Sequence, residues 1–495
     1  MATGWFGLAL LLLALALMTT TGWPTYAVLL GVCSAGTVVG LASGAVDAAV
    51  LGTLPARIVG LLDRDLLQAL ALYALVGALL NRLMLADSLY SGLDKALRRR
   101  APSAAPELAG LGLGLMLAPM NGSVGASLMT LARTADARWA AEGRAPARRT
   151  AMVALASTLG VIVPPSLVLL LLGDAMLQAH TEGVNLAQSM GLPHAGAAVR
   201  IVNAQDILQA ALLPGAALLV LWAVLILFTA PRAPRSASPA PLLNRERIAL
   251  GVVPLVILVL LSLVALGHVR AVEAAATAGM LLLGWGVLSR RLTGVLLRTV
   301  LDEAMSLTGA LFALLVAATS FSLLLRLLGT DRLAVQLMQS LEGHPVVATL
   351  TVLGVLLACA FVLDAFELIF LVVPIVMPPL LAQVDDAAWV STLALFALQA
   401  GFLLPPFGYA VVLARGHTSP RPGSWNVLAV LAPYLAALLL VMGLVIAWPA
   451  TTRWLRTAPA TLAPDESLRP DQIDQLMREM STPADDTPPE PPPDQ

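Results

Sequence analysis

Between Trp5 and Ala447 the chain repeats one pattern, an apolar stretch of about twenty residues followed by a short loop that holds most of the charge. About twenty apolar residues in a helix match the ~30 Å hydrocarbon core of a bilayer, and a helix satisfies its own backbone polar groups there. Across 495 residues, 58% are hydrophobic and 12% charged, and the mean hydropathy of +0.86 lies well outside the soluble range. The pattern predicts an all-α polytopic membrane protein with roughly ten to twelve crossing or re-entrant elements. A net charge of −1 points to no nucleic-acid partner, because the charged residues sit in loops between spans.

The residues that would mark other classes are missing or badly spaced. Cys33 and Cys359 lie in apolar spans without a CxxC, and the five histidines have no ligand-like spacing, so no metal or redox site is expected. No HExxH, GxSxG or Walker A motif occurs, which argues against a protease, a lipase-like enzyme or an ATP-driven pump. The N-terminal apolar run has no Lys or Arg before Arg57 and reads as a retained first span. After Trp448 the chain turns polar, acidic and Pro-rich, the composition of a disordered tail with room for one short helix around Asp471 to Met480.

Basic residues cluster at Lys95–Arg100, Arg144–Arg149, Arg232–Arg247, Arg290–Arg298 and Arg415–Arg421, which the positive-inside rule assigns to the cytoplasm. The first two clusters are neighbours on one side, so Pro106 to Trp139 has to enter and return as a hairpin, its tip near Asn121. Val346 to Ala382 has flanks poor in basic residues and reads as a hairpin from the opposite side, its tip near Leu363-Asp364.

Pro164-Pro165 follows the first tip by 43 residues in "GVIVPPSLVLL", and Pro405-Pro406 follows the second by 41 in "GFLLPPFGYAVVL". Two prolines in succession break a helix, and backbone freed at membrane depth is tolerated only where it lines a polar or protein-buried cavity. Two such units of opposite topology form the inverted repeat of many secondary transporters, whose half-helix ends hold anionic substrates and small cations.

These residues resemble the large membrane subunit of tripartite ATP-independent periplasmic (TRAP) transporters over about Gly22 to Val445. "ALYALVGALLNRLMLADSL" resembles the family's Leu-Asn-Arg helix, Asn121-Gly122-Ser123 its first hairpin tip, and "ASTLGVIVPPS" its first broken helix. "VEAAATAG" is similar to its Thr-Glu-Ala-Ala-Ala motif, and "FVLDAFELIFLVVPIVMP" with "LQAGFLLPPFGYAVVLARG" to its second hairpin and broken helix. The resemblance implies an elevator-type carrier that imports an organic anion, a small carboxylate, with Na+ as coupling ion. It also implies two partners: a periplasmic substrate-binding protein and a small four-span membrane subunit, here expected as a separate chain.

On that reading, 1–105 holds scaffold spans and 106–230 the first repeat: hairpin 106–139, broken helix 150–172, external loop 174–206. Connecting scaffold spans fill 231–302. The second repeat covers 303–447, with hairpin 346–382 and broken helix 389–414, and 448–495 is the tail. Ser123, Ser157, Thr158 and Asp364, with carbonyls near Gly401 and Leu404, are the expected ion ligands. Asn121, Gly122, Gly160 and Ser166 are expected to meet the substrate. Ser127, Gln399, Leu404 and Ala410 stand where the family commonly carries Asp, Glu, Thr and Asn, so the first site keeps more side-chain oxygen than the second. A stand-alone ion-coupled carboxylate carrier of a related inverted-repeat family is the alternative, and a membrane scaffold or enzyme a more distant one.

Overall fold

The computed structural model describes residues 2–47, 52, 54–62, 65–83, 85–121, 123–163, 166–190, 204–231, 241–339 and 344–455. Every regular element among them is a helix. Seven helices are long and apolar enough to cross a bilayer: Thr3–Thr21, Thr25–Ala42, Ala204–Thr229, Glu246–Val264, Ala271–Leu288, Gly294–Leu327 and Ser424–Ala447. The number rises to nine if each of two bent pairs counts as one span: Leu67–Arg82 with Leu85–Arg98, and Pro146–Ile162 with Leu167–Ser189. Outward-facing Phe228, Leu288 and Val295, each more than 80% exposed, are side chains that only lipid or another apolar surface could cover.

Four shorter apolar helices accompany the spans, and they belong to the segments that carry the candidate site. Ala105–Asn121 is followed, after Ser123, by Val124–Leu131, and the two helices pack against each other. Pro345–Cys359 turns through Ala360–Asp364 into a second returning arm that ends at Leu381. The returning arms start alike. Ser123 caps the first by accepting from the Ala126 N–H at 3.5 Å, and Asp364 caps the second by accepting from the Glu367 N–H at 2.9 Å. Each cap satisfies one of the amides that a helix start leaves without an intrahelical partner. Both returning arms also contain one wide π-type turn, at Ala132–Asp136 and Leu368–Val372.

Two expectations fail here. Residues 174–206 are not a loop from the start: Leu167–Met190 is one continuous helix, 191–203 lie outside the described residues, and the next helix begins at Ala204. The polar residues that read as loop are held on the helix by partners. Gln178 donates to Asp174 one turn back at 2.7 Å, Arg326 pairs with Glu182 at 2.5 Å, and Gly183 lies so close to the returning arm that a Cβ there would come within 2.9 Å of the Pro378 carbonyl. The boundary at 302/303 fails as well, because Gly294–Leu327 is a single helix of 34 residues. Its internal Glu303 is engaged by Arg82, which explains a charge inside a span. The tail from Arg456 onward, with its expected short helix, lies outside the described residues.

Candidate functional site

Both broken helices carry Gly-x-x-x-Pro-Pro, "GVIVPP" from Gly160 and "GFLLPP" from Gly401. In a helix the N–H of residue i bonds the carbonyl of i−4, and proline has none. Pro405 and Pro406 therefore leave the Gly401 and Phe402 carbonyls without intrahelical donors, and Pro164 and Pro165 do the same to Gly160 and Val161. Pro164, Pro165 and Gly122 lie outside the described residues, as does the Asn121 side chain, but the missing N–H of a proline is a matter of covalent structure. The residue before each pair turns extended in nearly the same way, Val163 at φ −86° and ψ 114°, Leu404 at φ −85° and ψ 106°. That is the backbone region proline imposes on its predecessor.

After the second break the chain restarts at Tyr409–His417, while the Leu404 carbonyl accepts from the Gly408 N–H at 2.9 Å. Leu404 thus spends one lone pair on the turn. Gly408 is required here: a Cβ would lie 2.6 Å from the Phe402 carbonyl and 2.9 Å from that of Gly401. The freed carbonyls converge on this turn. Each break is also pressed against its own hairpin. A Cβ on Gly401 would come within 2.4 Å of the Ala360 Cβ, and one on Gly160 would come within 3.5 Å of the Ala118 carbonyl.

The hydroxyls at the first break are buried and largely committed. Ser157 donates to the Ala154 carbonyl at 2.9 Å and Thr158 to that of Leu155 at 3.0 Å. Ser166 accepts from the Leu169 N–H at 3.1 Å and so caps the second half of the broken helix. Asp364 is likewise committed, because Glu367 returns a bond to the Asp364 N–H at 2.9 Å and completes a capping box. Thr25, from the second span, donates to the other oxygen of Glu367.

The structure adds one residue that the sequence reading treated only as a substitution. Gln399 is fully buried, and its Nε2 donates to Thr158 Oγ1 at 2.7 Å. Since Thr158 already donates to Leu155, it can only accept here, which fixes the orientation of the amide. Gln399 Oε1 is left buried with no partner among the described residues. A buried carbonyl left without a partner is costly, which sets this oxygen apart from the committed hydroxyls around it.

A cluster of ion pairs also escaped the sequence reading. Glu107, with its side chain fully buried, binds Arg144 and Arg148 at 2.6 Å each, and Arg149 grips Asp136 with two bonds of 2.8 and 2.9 Å. Arg148 reaches Thr229 as well, and Thr150 donates to Thr418 at 2.9 Å. These bonds tie the first hairpin and first broken helix to the loop after the second.

An all-helical membrane body whose core holds two matched, proline-interrupted helices beside two hairpin tips defines the class, that of polytopic secondary transporters. The chain belongs to the family of the tripartite ATP-independent periplasmic transporter, DctM component, whose model matches residues 10–451. It is therefore the large permease component of a tripartite transporter. Its fold is similar to that of the Alcanivorax borkumensis YdaH transporter, a crystal structure described as having an unusual topology. That similarity has a TM-score of 0.57 and 18% identity and covers 83% of this chain and 91% of the other. No match is found among the curated proteins.

Proposed function

We propose that this subunit, a multi-pass protein of the cell inner membrane, imports a small carboxylate together with sodium, taking the substrate from a periplasmic binding protein beside a separate four-span subunit. The two hairpins are re-entrant from opposite faces, the two copies of the motif form an inverted repeat, and both move as one elevator body against the remaining spans. The observation that carries the reading is the junction of the breaks: Gln399 joins Thr158 two residues before the Gly401 carbonyl that Pro405 releases, and its Oε1 has no partner among the described residues. Hard cations take oxygen ligands of this kind. Ser123, Ser157, Thr158 and Gln399 hold the ion at the first break, and the Gly401 and Leu404 carbonyls with Asp364 hold one at the second. Asn121, Gly122, Gly160 and the capped helix start at Ser166 bind the carboxylate, which a helix N-terminus favours.

Uptake into proteoliposomes containing this chain, the small subunit and the binding protein tests the reading. Uptake of a labelled carboxylate should require an inward sodium gradient and the binding protein. Equal uptake without sodium would remove the cation assignment. Uptake without the binding protein would favour a stand-alone carrier.

A further inference from the structure

Two adjoining hollows, neither lined by a residue of the broken helices, lie between Leu85–Arg98, Asn244–Ala265 and Ala271–Leu288. One is an apolar groove of about 390 Å³ whose walls include Leu85, Val252, Leu282, Trp285 and Leu288. The other is a polar cavity of about 520 Å³ whose walls include Arg82, Arg138, Arg291, Asp87 and Glu246. Ser88 and Arg291 line both, so the two share a wall.

The charges in and around the cavity leave one cation over. Glu246 is bound by Lys95 at 2.8 Å, Arg82 by Glu303, and Arg138 lies 3.8 Å from Asp87. Arg291 donates to the Leu83 carbonyl at 3.2 Å and has no carboxylate in ion-pair reach among the described residues. In the groove wall, the indole N–H of Trp285 is buried without a partner among the described residues. Exposed Met280, Leu281 and Leu288 continue the apolar surface outward. The basic clusters at Lys95–Arg100 and Arg290–Arg298 put this end at the cytoplasmic face.

We propose that this double hollow binds an anionic phospholipid of the cytoplasmic leaflet, one acyl chain in the groove and the phosphate at Arg291, with Trp285 donating to an ester or phosphate oxygen. Basic pockets between spans on the cytoplasmic side hold anionic headgroups in this manner. A partner's apolar helix could fill the groove, but it would leave Arg291 without a counter-charge. A phospholipid supplies both halves.

The test uses the full chain in vesicles containing brominated-chain phosphatidylglycerol or brominated-chain phosphatidylcholine, with free inorganic phosphate as a separate arm. The Trp285 signal is the difference between the fluorescence of the protein and that of its Trp285→Phe variant. Brominated phosphatidylglycerol should quench this signal at lower mole fraction than brominated phosphatidylcholine. Arg291→Gln should reduce that preference roughly five-fold and Arg291→Lys should retain it. Free phosphate should not relieve the quenching. Equal quenching by the two lipids, a preference indifferent to Arg291→Gln, relief by free phosphate, or loss of quenching when the small subunit is added would each overturn the proposal.

Discussion

Thr158 and Gln399 occupy the same place in the two copies of the motif, two residues before Gly160 and Gly401, and a 2.7 Å hydrogen bond joins them across 241 residues of chain. Equivalent positions would meet in this way in the proposed inverted repeat, where the two copies face each other across a pseudo-symmetry axis. The match is chemically imperfect, since a threonine meets a glutamine, and the surplus is one buried oxygen without a donor among the described residues.

Replacing Gln399 tests whether that oxygen serves an ion. Gln399→Leu removes the Thr158 bond and the free carbonyl together. A contact to a charged group contributes roughly 1.5–3 kcal/mol, so half-saturating sodium for uptake should rise about tenfold or more. Gln399→Glu offers a charged oxygen and should lower half-saturating sodium instead. If sodium titrations of uptake in proteoliposomes coincide for all three proteins, Gln399 is not a ligand.

The close approaches at the breaks predict a graded response to single methyl groups. Gly408→Ala and Gly114→Ala would drive a Cβ to 2.6 Å from the Phe402 carbonyl and 2.3 Å from the Ala156 carbonyl, both of them backbone atoms that cannot rotate away. Overpacking of this kind costs typically 1–3 kcal/mol. Gly251→Ala and Gly309→Ala, where a Cβ meets nothing within 4 Å, should be neutral or slightly stabilising. Thermal unfolding in detergent should separate the two pairs, and equal melting temperatures would contradict the packing described.

The helical class is legible because long apolar windows are a local signal, and the helix ends just before Pro164 and Pro405 are legible because Pro-Pro is one. The caps at Ser166 and Asp364 also had one, since "DAFE" has capping-box spacing and Ser166 immediately precedes an apolar helix. Gln399 had none. Its meaning depends on a partner 241 residues away, and no periodicity or spacing encodes that contact. The helix Leu167–Met190 was misread for a related reason: Asp174, Gln178 and Glu182 look like loop polarity until Arg326 and the returning arm are set against them.

Glu107 should be the most sensitive ionic position in the described chain. Its side chain is fully buried and holds Arg144 and Arg148 together. Removing one partner of a buried ion pair costs roughly 3–5 kcal/mol, because the remaining charges stay buried and unpaired. Glu107→Ala should therefore lower the melting temperature strongly, while Glu142→Ala, in the more exposed pair with Arg98, should shift it little. Similar shifts for both would mean that the Glu107 cluster is solvated.

Arg326–Glu182 offers a direct test of elevator motion, because it joins Gly294–Leu327, a span outside the two hairpins and the two broken helices, to the second half of the first broken helix. The pair is part-exposed, its side chains 34% and 29% accessible, so breaking it with Glu182→Gln should cost no more than about 1 kcal/mol. Locking it should matter far more. In a chain with Cys33 and Cys359 replaced by serine, Glu182→Cys with Arg326→Cys joined by a short bis-maleimide should abolish uptake, and each single cysteine treated alike should retain it. If the scaffold and the first repeat move apart during transport, the cross-link fixes one state. Undiminished uptake after complete cross-linking would show that the seam stays closed throughout the cycle, and the moving body would then have to exclude Leu167–Met190.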